Sequence, residues 1–147
     1  MPQQVILKGF DDMQAAFKAI GSIPLTVTKR AVSAMGAVAA SSIKTEGEAM
    51  GVRDPESGEH ILDHISVSKP IKRDDGVKAF VTFTGTRQRG NTKTRNAEIA
   101  YINEYGAPRR GIPARPFIST GMARHEDEIS APADEIIGGW IEQTYSK

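Results

Sequence analysis

The chain has 147 residues, enough for one domain with a real core, with 39% hydrophobic and 25% charged residues, the mixture of an ordinary folded protein. It has no cysteine, which excludes disulfide frameworks, thiolate nucleophiles and cysteine-bound zinc. The formal charge of +1 hides a division: the segment from Arg87 to Arg115 holds seven basic residues against two acids, Glu98 and Glu104, a net +5, and the remaining twelve basic and sixteen acidic residues make −4.

The start MPQQVILKG lacks the basic and apolar regions of a signal peptide, and no apolar run reaches the ~18 residues of a membrane span, so a cytoplasmic origin is expected. Val5 to Leu7 reads as a short strand. Asp11 or Asp12 then caps a helix with Met13, Ala16, Phe17 and Ile20 at helical spacing, ended by Gly21. Pro24 suits the first turn of a longer helix, with Leu25, Val32, Met35, Ala39 and Ile43 on one stripe. Its many small residues, Ala31, Ala34 and Gly36 among them, suit close packing, either on this chain's own sheet or on another subunit.

GVRDPESGE, residues 51–59, reads as a loop. Ile65, Val67 and Ile71 alternate with Ser66, Ser68 and Pro70 as in an edge strand, Asp74-Asp75-Gly76 marks a tight turn, and Val77 to Phe83 alternates again, together a β-hairpin. GTRQRGNTKTRN, residues 85–96, has no large apolar residue and reads as a long, mobile, basic loop. Ala97 to Tyr105 suits a short helix capped by Gly106, although Ile99, Tyr101 and the preceding alternation also permit a strand at its start. A last helix carries Ile129, Ala133, Ile136, Ile137, Trp140 and Ile141 on one face, with Ser130 as its cap and Asp134 and Glu135 in its first turn. The fold class is α+β: one domain in which a small antiparallel sheet is packed by the long N-terminal helix and the C-terminal helix.

No catalytic set emerges. His60 and His64 stand four apart and supply two zinc ligands where a site needs more, so EHILDH reads as a polar surface turn. Gly85 and Gly90 have the spacing of a phosphate loop, with Asn91 and Thr92 where the lysine and hydroxyl residue are required, and Asn91 cannot supply the lysine's charge. Asp74 and Asp75 are explained by turn chemistry, and His125 by a solvated helix face. No cofactor and no bound metal are expected. Arg87, Arg89, Lys93 and Arg95 form the one feature that suits a phosphate backbone or an acidic partner, although no aromatic residue is interleaved for base stacking.

In YINEYGAPRRGIPARPFISTG, residues 101–121, Tyr101, Ile102 and Tyr105 offer anchors on one helix face. Gly106 reverses the chain, and Pro108, Pro113 and Pro116 stiffen a loop exposing Arg109, Arg110 and Arg115. Ala97, Tyr101, Glu104, Tyr105, Gly106, Ala114, Arg115, Pro116 and Phe117 resemble, in order, the motif of the minor tail or tail-completion proteins of long-tailed double-stranded-DNA bacteriophages. Where members of that family carry a further proline and alanine after the phenylalanine, this chain has Ser119, Thr120 and Gly121.

The resemblance implies a non-enzymatic virion protein that forms a homo-oligomeric ring at the neck, a hexamer in the virion from a subunit that is monomeric in solution. Its partners would be other neck and tail-tube proteins and DNA in the channel, with no membrane. Glu104 and Arg115 would pair within or between subunits, Phe117 would anchor the loop in a pocket, and Tyr101, Tyr105, Gly106, Arg109, Arg110 and Pro116 would complete the docking element. The alternative is a nucleic-acid-binding protein that uses residues 87–95 with Arg109 and Arg110.

Overall fold

The computed structural model describes residues 23–52 and 60–145. The expected strand at Val5–Leu7, the helix between Asp11 and Gly21, and most of the 51–59 loop lie outside the described residues. What is described is α+β: four helices with antiparallel strand pairs packed against the long first and last helices.

Helix α1, Leu25–Ala49, begins at Pro24, whose extended backbone (ψ 139°) suits a cap and whose carbonyl accepts from the Val27 and Thr28 N–H groups. Its buried stripe is Ala31, Gly36, Ala39, Ser42, Ile43, Glu46 and Gly47. Leu25, expected on that stripe, is exposed at the first position of the helix, and apart from Ile43 and Glu46 the buried side chains are small. They let neighbours of the same chain come close: a Cβ on Gly36 would lie 2.6 Å from Val67 Cγ1, and one on Gly47 would lie 2.6 Å from Leu62 Cδ2 and 3.0 Å from the Phe117 ring.

EHILDH contributes a single 3-10 turn, Ile61–His64, with Ile61 and Leu62 in the core. The turn is not a surface feature as expected, because those two side chains draw His60 inward with them. Strands β1 (Ile65–Val67) and β4 (Val81–Phe83) pair antiparallel, Ile65 opposite Phe83, and β2 (Ile71–Arg73) and β3 (Gly76–Lys78) continue the same hairpin to its tip at Asp74-Asp75. The break between the two halves follows from Ser68 and Pro70. The Ser68 N–H donates to the Phe80 carbonyl at 2.8 Å and its hydroxyl accepts the Phe80 N–H at 2.8 Å, filling in where Pro70 has no N–H to offer.

Residues 85–96 are a correction to the expected mobile loop. They form a two-stranded ribbon, β5 (Thr86–Arg89) with β6 (Thr92–Arg95), in register from Thr86 opposite Arg95 to Arg89 opposite Thr92. Gly90, at φ 59°, takes the first position of the two-residue turn, as in tight hairpins that need a positive φ there. The ribbon is held by its ladder and by alternating threonines, not by apolar burial, so hydrophobic patterning does not reveal it.

Helix α2, Asn96–Tyr105, starts where the Asn96 amide donates to the Thr84 carbonyl at 2.8 Å and ends at Gly106, φ 75°. A 3-10 turn, Pro108–Arg110, sits inside a small closed loop made by mutual Ala107 and Ile112 backbone bonds of 2.9 and 3.1 Å. The expected last helix is α4, Glu126–Tyr145, which starts ahead of Ser130, and a further helix not expected from the sequence, α3, Phe117–Arg124, precedes it and meets it at His125.

The first turn of α4 holds Glu126, Asp127 and Glu128 and not Asp134 and Glu135, and Ser130 lies inside it. Acids at that end complement the helix dipole, and the helix continues through Pro132. Its inner face is nonetheless the expected one: Ile129 is buried and Ala133, Ile136, Ile137, Trp140 and Ile141 are half-buried. Both α3 and α4 pack on α1. The core joins Ile43, Val52, Ile61, Leu62, Ala100 and Phe117, with Phe83 edge-on to Phe117 at 5.8 Å between ring centroids.

Candidate docking site around helix α2

The stretch from Ala97 to Met122 folds as one locked unit. Glu104, in the last turn of α2 and 7% exposed, reaches across to the start of α3, where its carboxylate accepts the Ile118 N–H at 2.7 Å, the Ser119 N–H at 3.0 Å and the Ser119 hydroxyl. Pro116 has no side chain to cap this helix, so a carboxylate from the neighbouring helix satisfies two N–H groups that would otherwise lack acceptors and complements the positive helix end. Ser119, at the third position of α3, is the acceptor's second donor.

Three further contacts fix the intervening loop. The Arg115 N–H donates to the Asn103 carbonyl at 2.6 Å. The Arg115 guanidinium donates to the Gly51 carbonyl at 2.7 Å, tying the loop to the end of α1. A Cβ on Gly106 would stand 2.8 Å from the Ala114 nitrogen, so both the positive φ and the closeness of the returning chain require glycine there. Phe117, fully buried, plugs the assembly into the core.

The expected site residues therefore divide. Glu104, Gly106, Arg115 and Phe117 make contacts within this chain, and Glu104 bonds the α3 start while Arg115 bonds Gly51, so the two do not pair with each other. Pro116 sets the α3 start and is exposed. Tyr101 and Tyr105 face outward, 63% and 66% exposed, and rest on each other with ring centroids 4.8 Å apart. Arg109 and Arg110 project from the closed loop into solvent.

Two concavities of different character flank α2. On one side an apolar groove of about 580 Å³ runs between β4, α2 and α3, edged by Phe80, Tyr101, Tyr105 and Met122, all substantially exposed. On the other, a cleft of about 450 Å³ lies between the ribbon and α2, with Arg87, Thr92, Thr94, Asn103 and Arg110 above an isoleucine floor. The ribbon and the Pro108–Arg110 turn thus contribute cations to the same cleft edge through Arg87 and Arg110, 23 residues apart in sequence. Lys93 and Arg95 are exposed on β6, and Arg95 lies 3.7 Å from Glu98.

Two charged clusters carry no warning in the sequence. Glu46, 4% exposed on α1, accepts from Arg124 Nη1 at 3.1 Å and lies 3.1 Å from His125 Nε2, while His125 Nδ1 is 3.3 Å from Glu128. Hydrogen bonds to Glu46 and then to Glu128 raise the His125 pKa above its ordinary 6.5. The cluster ties the α3–α4 junction to α1, and His125, expected on a solvated face, is drawn in by Glu46. His60 Nε2 lies 3.2 Å from Asp63, whose other oxygen is 4.0 Å from Lys44. The sequence shows only the charged run RHEDE, residues 124–128, which does not name a partner 78 residues away.

Among the described residues no group of three or more His, Asp or Glu side chains is arranged to hold a metal ion, and no helix is long and apolar enough to cross a membrane. Set against known protein families, curated proteins and solved structures, the chain matches none.

Proposed function

We propose that this chain is a non-enzymatic bacteriophage assembly protein, a tail-completion or head-tail connector subunit that works in a ring at the neck between head and tail. The observation that carries this reading is the locked unit from Ala97 to Met122. The buried Glu104 and Phe117 and the exposed Arg115, bonded to Gly51, hold one loop and two helices in a fixed arrangement. Its outward residues include two tyrosines in ring contact and two arginines.

Large exposed aromatics beside an apolar groove are features of a docking surface, and a preformed loop loses little entropy on binding. The motif resemblance falls on the same residues, which supports placing the docking partners among copies of this chain and other neck and tail-tube proteins. The virion would be its final location and the host cytoplasm its place of assembly. The test is mass measurement over a concentration series together with electron microscopy of any large species and of purified tails. An obligate monomer absent from the particle would remove the reading.

A second reading rests on one observation, that Arg87 and Arg110 edge a single cleft with the hydroxyls of Thr92 and Thr94, a set that suits phosphate oxygens. It predicts salt-dependent DNA binding that weakens when these arginines become alanine. No binding at low salt would remove it.

A further inference from the structure

Charge on this chain is sorted by element. Helix α4 carries six acids, Glu126, Asp127, Glu128, Asp134, Glu135 and Glu142, and no lysine or arginine. The ribbon, α2 and the loop after it carry the seven cations from Arg87 to Arg115. Of the two acids among them, Glu98 faces Arg95 and Glu104 is used at the start of α3, so neither meets Arg109 or Arg110. Among the described residues Arg109 and Arg110 form no ion pair, and neither do Asp134 and Glu135 on the exposed face of α4. The faces belong to different layers: α4 packs on α1 and α3, the ribbon on α2.

A two-fold contact buries the same surface of both copies, and one built on either of these faces alone would oppose like charges. A head-to-tail contact sets two different patches together, and only that arrangement closes into a ring. Resting on the ring reading above, we infer that neighbouring copies meet head to tail, the basic face at Arg109 and Arg110 of one copy against the acidic outer face of α4 at Asp134 and Glu135 of the next. Tyr105, one residue before the turn at Gly106, and its partner Tyr101 supply rigid apolar contact beside the basic turn, the composition found at the centres of such interfaces. Exposed ion pairs are strongly screened, so the contact is salt-sensitive, and a subunit alone at ordinary ionic strength stays dissociated until a tail or head end gathers its neighbours.

The test is a charge swap between two variants altered only at exposed positions. Arg109→Glu/Arg110→Glu makes the first face acidic, and Asp134→Lys/Glu135→Lys makes the second basic. Thermal unfolding of each, compared with the native chain, confirms that both fold. Sedimentation at low salt is then read across a concentration series. The native chain is expected to self-associate in about 0.05 M salt and to weaken by about tenfold or more in about 0.5 M salt. Each variant alone is expected to lose association by a similar factor, and an equimolar mixture to regain it, because every contact in an alternating chain of the two is again between opposite charges.

Association of either variant at the native strength, a mixture that does not recover, or a native chain monomeric at low salt and high concentration would overturn the inference. So would loss of duplex-DNA retention in the arginine variant with assembly unchanged, which would give the basic face to nucleic acid. Rings found at the neck of virions whose assembly ignores both salt and swap would sink this inference and leave the ring reading standing. Absence from the particle with a successful swap would do the reverse.

Discussion

Replacing Glu104 with alanine removes the acceptor for two N–H groups and one hydroxyl at the start of α3, at a position only 7% exposed. A hydrogen bond to a charged group contributes about 1.5–3 kcal/mol, and a lost helix cap costs about 1 kcal/mol. The two N–H bonds of 2.7 and 3.0 Å share one carboxylate and are partly reachable by water once it is gone, so their losses overlap and do not add in full. The expected cost is about 3 kcal/mol, a large part of the stability of a domain this size.

At about 3–4 °C per kcal/mol for a chain of this length, the melting temperature falls by about 10 °C. Glu104→Gln keeps one acceptor and the shape of the side chain and loses the charge, so about 1 kcal/mol is expected. Ser119→Ala deletes one hydroxyl donor, leaves its N–H bonded, and is expected to cost less than about 1 kcal/mol. Urea unfolding of the three variants, read by circular dichroism, gives the order directly. An alanine variant within about 0.5 kcal/mol of the native chain, or a glutamine variant as damaged as the alanine one, would refute the capping role.

Phe117→Ala empties the centre of the core, where the ring is fully buried against Phe83, and is expected to cost about 3–5 kcal/mol in the same urea experiment. Gly106→Ala places a Cβ 2.8 Å from the Ala114 nitrogen at a φ of 75°, so the loop through Arg109 and Arg110 must shift. Trypsin cleavage after those arginines should accelerate several-fold, and an unchanged rate would count against the locked loop. The His125 pKa is raised in the folded protein by Glu46 on α1 and Glu128 on α4, with Arg124 on α3 facing the same carboxylate. Its contribution is therefore complete below the unfolded value near 6.5 and is lost as pH rises through the folded pKa. Stability measured from about pH 6 to about pH 8.5 should fall more in the native chain than in His125→Gln, and parallel curves would remove the cluster's role.

Much of the architecture was legible because it rests on patterns of local origin. Pro24, the hairpin turn at Asp74-Asp75-Gly76 and the glycine stop at Gly106 each act within a few residues, and each lies where the sequence put it. The ribbon of residues 86–95 was not legible, since its two strands bury no apolar stripe and declare themselves only through paired backbone groups. The start of the last helix at Glu126 was hidden because Ser130 offers a cap further along, whereas acids at Glu126 to Glu128 sit well at a helix N-terminus.

The motif predicts exposed arginines and aromatics, and Tyr101, Tyr105, Arg109, Arg110 and Arg115 are exposed. The internal work of Glu104 and Arg115 was invisible, because a carboxylate capping a different helix and a guanidinium bonded to a carbonyl 64 residues away leave no spacing to read. The buried Glu46 is the same case: only the fold brings Arg124 and His125 to it.

The most direct test of the assembly reading is cryo-electron microscopy of purified phage particles, where that reading puts this chain, with the described fold fitted into the density at the neck. A ring of copies between head and tail, with α2 and the Pro108–Arg110 turn at subunit contacts, is the predicted result. A neck in which every density is accounted for by other chains, with this protein absent from the particle, would contradict it.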